Sequence, residues 1–151
     1  MRRPLVVPLA AALLLLPTAC GGGGDSGDPD ADQVSVAADT STCVADAQQV
    51  TSYPDGYPQD YPLPEGTVVF SVEDRGTDGV VATGVTPTPF NEVLREMNAA
   101  TKAGFTRTTG ETEEDDAEAS WTGNGFTGRW AIKKSATCSG ETVVQLLAKK
   151  A

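Results

Sequence analysis

The chain has 151 residues, 39 % of them hydrophobic, with 11 Lys and Arg against 21 Asp and Glu and a formal net charge of −10. That length allows one domain, and so acidic a chain repels polyanions, which excludes nucleic acid as a partner. Histidine is absent, which removes Ser-His-Asp and Cys-His catalysis, histidine-ligated zinc and a histidine pH switch.

Residues 1–19 have the layout of a secretory leader. Arg2 and Arg3 make a basic start, Pro4 to Leu16 is an apolar run, and the small residues Thr18 and Ala19 follow. The run is about a dozen residues, short of the roughly 20 needed to cross a bilayer. The next stretch, Leu16-Pro17-Thr18-Ala19-Cys20, resembles a bacterial lipobox, with Pro17 where leucine is usual and Leu16 one step further out. The resemblance implies cleavage before Cys20, a diacylglyceryl group on its sulfur, and an extracytoplasmic protein held to the cell membrane by lipid. Acyl burial contributes about 0.8 kcal/mol per methylene, and two chains suffice for lasting attachment.

Residues 20–42 read as a disordered Gly/Asp-rich tether, because they carry too few large apolar groups to offset the entropy of ordering. Within it Asp28, Asp30 and Asp32 alternate as carboxylates do in calcium loops. Gln33 replaces the turn glycine of such a loop and Asp39 its bidentate glutamate, so a solvated acidic linker is the expectation. The single folded domain spans 43–151. With Cys20 acylated, Cys43 and Cys138 are the remaining cysteines, and an oxidising compartment pairs them in a disulfide.

A Pro/Tyr-rich lead-in covers 53–66, where Tyr53-Pro54, Tyr57-Pro58 and Tyr61-Pro62 recur every four residues. A polyproline helix has three residues per turn, so a spacing of four turns each tyrosine about 120° from the last. The rings therefore do not share a face as a sugar-stacking ladder would. They are expected to cap the core with wet hydroxyls.

Thr67 to Glu73 alternates as a half-buried strand with Val68, Phe70 and Val72 on one face, and Val80 to Val85 is its hairpin partner across Arg75-Gly76-Thr77-Asp78-Gly79. A helix is predicted over about 88–103, with Thr88 as N-cap, Pro89 as first helical residue and Gly104 closing it. Its stripe of Phe90, Val93, Leu94, Met97 and Thr101 is a core face. Strands follow at Phe105–Glu111, Glu118–Thr122, Thr127–Ala136 and Thr142–Ala148. Trp121, Trp130 and Ile132 face the helix, and Val144, Leu146 and Leu147 can join them only in part. Gly123-Asn124-Gly125 is a strong turn signal. The fold class is α+β: a mainly antiparallel sheet of five or six strands with one helix on one face, in the order ββαββββ.

The run Glu113-Glu114-Asp115-Asp116 reads as a hairpin tip, a weak candidate for cations beside Asp28, Asp30 and Asp32. Glycines 21–24 follow no strand and precede no helix, so they are no phosphate loop. Lys133, Lys134, Lys149 and Lys150 make the last strands locally basic. The chain resembles small lipoproteins of actinomycetes, with their short acidic tether, Pro-rich lead-in and small disulfide-stapled domain. That resemblance transfers no functional residues. The expectation is a non-catalytic binding module of the cell envelope, without a cofactor, that meets a protein or wall component. A small-ligand or calcium carrier is the alternative, and a histidine-independent enzyme the least favoured reading.

Overall fold

The alternation of apolar and polar residues resolves into six strands and one α-helix among the described residues, which are 41–99 and 103–151 of a computed structural model. The leader, Cys20 and the tether carboxylates Asp28, Asp30 and Asp32 lie outside them. In chain order the elements are β1 (Val68–Asp74), β2 (Val80–Thr86), α1 (Phe90–Asn98), β3 (Phe105–Thr112), β4 (Asp116–Gly123), β5 (Phe126–Lys134) and β6 (Thr142–Lys150). They form one sheet of order β1-β2-β6-β5-β4-β3, antiparallel at every pairing.

β2 and β3 are four strands apart in that order, roughly 19 Å at the usual interstrand spacing. The connection must therefore cross the sheet, and α1, whose nine residues rise about 13.5 Å, supplies most of the span. Phe90, Val93 and Met97 of α1 belong to one buried cluster with Phe105, Trp121, Trp130, Ile132, Val144 and Leu146. The stripe is the i, i+3, i+7 pattern of an amphipathic helix.

The start of the helix differs from the prediction. Pro89, with extended backbone, is the N-cap, and its carbonyl accepts from the Glu92 and Val93 amides. Thr88 lies one residue too early: its carbonyl accepts from the Thr142 hydroxyl at 2.9 Å, and its own hydroxyl points to Glu65 O. The described helix stops at Asn98 with Ala99 as C-cap, so Gly104 does not close it. Thr101 lies outside the described residues. Gly104 instead is the turn residue just before β3, at φ +89°, where a Cβ would meet Asn124 Oδ1 at 2.7 Å.

β1 also departs from simple alternation. Val69 pairs with Gly84 and Ser71 with Thr83, a bulge that leaves Phe70 without a partner. The extra residue exchanges the two faces of the strand. Val69 and Val72 consequently pack on the core, whereas Phe70 stays half-exposed and Val68 falls on the opposite face beside Val85.

On the far side of the sheet, the outer face, alternation places Val81, Thr83, Gln145, Leu147, Arg129 and Glu118. Leu147 accordingly joins Val81 and Ala131 in a second small cluster, while Val144 and Leu146 turn to the core. The turn after β4 is Asn124-Gly125, at φ 49° and 81°, the two positive φ values that a two-residue hairpin turn of type I′ requires.

Candidate functional site

A disulfide joins Cys43 and Cys138, 95 residues apart in sequence, and ties the start of the domain to the β5–β6 loop. The Val44 amide donates to Glu141 Oε2 at 2.9 Å beside it. Cys43, Cys138 and Glu141 are the one trio of metal-ligating side chains that converges among the described residues. Both sulfurs are consumed by the disulfide, so the trio lacks the thiolates a metal would need.

The acidic run sits at the β3–β4 tip, where the Glu113 amide donates to Asp116 O at 2.8 Å. Its carboxylates do not converge. Asp115 pairs with Lys134 Nζ at 2.6 Å and Asp116 with Lys133 Nζ at 3.7 Å. The Asp115 carboxylate, through its hydrogen bond to the ammonium, raises the pKa of Lys134. Further down the same hairpin, Glu111 and Glu118 are cross-strand partners. A hydrogen bond to Glu118, reinforced by its charge, raises the Glu111 pKa.

The tyrosines divide. Tyr57 and Tyr61 are buried in the core, Tyr61 against both Phe105 and Trp121 at 4.8 Å between ring centroids. Burial raises the pKa of both phenols, with the preceding tyrosine adding to it. The Tyr61 hydroxyl is buried without a hydrogen-bond partner, which corrects the expectation that it is wet. Asp60, the residue before Tyr61, accepts from Asn124 Nδ2 at 2.8 Å.

Tyr53 remains half-buried, stacked on Tyr57 at 4.7 Å. It lines two open clefts, of about 650 and 800 Å³, that share Tyr53, Pro54 and Asp74. The first runs along the outer edge of β1 past Phe70 and Val72, and the second turns around the strand end to Lys149 and Lys150. The half-exposed Phe70 is a product of the bulge, which no alternation rule reveals.

A smaller and more enclosed cavity, of about 230 Å³, opens on the outer face between Ser120, Thr127, Gly128, Arg129, Leu147, Lys149 and Asp78. Arg129 pairs with Glu118 through one terminal nitrogen, and its Nε is buried without a partner.

These features define an antiparallel single-sheet domain whose clefts carry polar and aromatic groups. No family model, curated protein or solved structure matches the chain.

Proposed function

We propose that the chain is an extracytoplasmic lipoprotein, anchored to the cell membrane through Cys20, whose domain is a non-catalytic binding module of the envelope. In this reading α1 covers the inner face of the sheet and the tether of residues 20–42 lets the domain stand off the membrane. The observation that carries the binding half is the pair of clefts meeting at Tyr53. An aromatic ring braced from behind by a second ring is a preorganised contact surface, because little side-chain freedom is lost when a partner covers it. The partner is an envelope protein or a wall component.

Mass spectrometry of the mature amino terminus tests the anchor: a diacylated Cys20 supports it, and an unmodified residue at that position refutes it. For the binding half, crosslinking from a photoreactive group at residue 53 in cells is expected to recover one specific envelope component. Recovery of nothing above background, or the same recovery from a group placed on the exposed Thr108, defeats it.

A further inference from the structure

We propose that the outer-face cavity between β4, β5 and β6 binds a small organic acid through its carboxylate. The register builds the cavity from two adjacent cross-strand rows. Ser120, Arg129 and Leu147 form one row, and Thr122, Thr127 and Lys149 the next. Residues two apart on a strand point to the same face, so Arg129 and Thr127, Ser120 and Thr122, and Leu147 and Lys149 all project outward together. Gly128, between Arg129 and Thr127, contributes only backbone to the wall.

The polar groups converging there are mostly donors. Arg129 lines the wall and is held in place by Glu118. A guanidinium and an ammonium on one wall favour an oxyanion, with which each makes a charge-assisted hydrogen bond. Lys149 brings an ammonium that forms no ion pair among the described residues. Ser120 adds a hydroxyl at the wall, while the Thr127 hydroxyl already donates to Trp121 O at 3.4 Å.

The cavity also holds features that restrict the ligand. Leu147 supplies an apolar surface continuous with Val81 and Ala131, suited to a short hydrocarbon tail. Asp78 is the one carboxylate in the lining, and with Glu118 bound to Arg129 it opposes a second negative charge. The cavity's chemistry therefore favours a monoanion with a short apolar tail over a dianion such as hydrogen phosphate. Its volume of about 230 Å³ matches a molecule of a few carbons and sits below the range for drug-sized ligands.

The test is a titration of the full-length 15N-labelled chain in nonionic detergent with sodium butyrate, at constant ionic strength, followed by NMR. Saturable shifts are expected at the amides of Ser120, Thr127, Gly128, Arg129 and Leu147. Ser120→Ala and Lys149→Gln should each weaken binding by about five-fold or more. Lys133→Gln removes the same charge from the same face outside the cavity and should leave the affinity unchanged. The proposal is overturned if the shifts do not saturate, if chloride reproduces them, or if Lys133→Gln weakens binding as much as Lys149→Gln. Tighter binding of phosphate than of butyrate overturns the assignment to a monoanion.

Discussion

Gly128 is the residue whose enlargement should damage the fold most for the fewest atoms added. It pairs with Trp121 on one side and Ala148 on the other, and the Trp121 ring lies across its missing side chain. A Cβ built there meets Trp121 Cζ2 at 2.6 Å and Cε2 at 2.9 Å, and meets the Leu147 carbonyl oxygen more closely still. Neither obstacle is a flexible side-chain end. The oxygen is main chain in β6, and Trp121 is 1 % exposed and wedged by Phe105 and Tyr61. Gly128→Ala must therefore shift the β5–β6 ladder or expel the indole. Overpacking typically costs 1–3 kcal/mol, and the upper end, about 3 kcal/mol, applies where backbone has to move. At about 4–6 °C per kcal/mol for a domain of this size, the unfolding midpoint should fall by roughly 12–18 °C. Far-UV circular dichroism against temperature reads the midpoint, and tryptophan emission reports whether the indole leaves its site. Gly125→Ala is the control: it has open space within 4 Å but a φ of +81°, so it should cost only the left-handed strain of about 1–2 kcal/mol. A Gly128→Ala midpoint within about 3 °C of the parent would show that the Trp121–Gly128 packing is wrong.

Reduction of the Cys43–Cys138 bond, which closes 95 residues, should lower stability by about 4–5 kcal/mol in the chain-entropy account, read as a drop in urea midpoint with added dithiothreitol; an unchanged midpoint refutes it. Tyr61→Phe removes a buried hydroxyl that has no partner and should be neutral or stabilising by up to about 1 kcal/mol. Tyr61→Ala, which empties the space beside Trp121 and Phe105, should instead cost about 3–5 kcal/mol, so equal urea midpoints for the two variants contradict the packing. Glu111 is an acid whose folded pKa is raised above 4.5 by its hydrogen bond to Glu118. Its contribution to stability is thus fully present below that value and lost as pH rises through the folded pKa. Glu111→Gln should flatten that fall, so the variant gains on the parent between pH 4 and pH 7 in urea titrations; parallel curves rule the pair out.

The parts of this fold that follow local rules were legible in the sequence. Thr142 to Ala148, the Asn124-Gly125 turn and the Phe90, Val93, Met97 stripe each announce themselves within a few residues, through alternation, turn chemistry or helical spacing. What escaped depends on distant partners. Thr88 has the chemistry of a helix cap, yet Thr142 and Glu65, far along the chain, compete for its carbonyl and hydroxyl. The β1 bulge arises opposite Gly84, where a Cβ would meet Thr67 Cγ2 at 2.8 Å and Val68 O at 3.0 Å. That close approach is invisible in a seven-residue strand read alone. Tyr61 looked amphipathic and turned out to be wholly inside, because Phe105 and Trp121 offer it more apolar contact than its hydroxyl has to gain from water.

The outer-face cavity is the extreme case of such dependence. Ser120, Arg129 and Lys149 lie on three strands, and nothing in their spacing of nine and twenty residues marks them as a set. They meet because Trp121, Trp130, Ile132 and Leu146 must all face the core. With a side-chain period of two, each core residue sends its neighbour to the other face. Ser120 precedes Trp121, Arg129 precedes Trp130, and Leu147 follows Leu146. A slip of one residue in β5 would bury Arg129 in the aromatic cluster and expose Trp130, a rearrangement that a buried charge forbids. The hydrophobic core thus sets the composition of the outer face without touching it, and a ligand bound there would be recognised by residues whose register was chosen on the other side of the sheet.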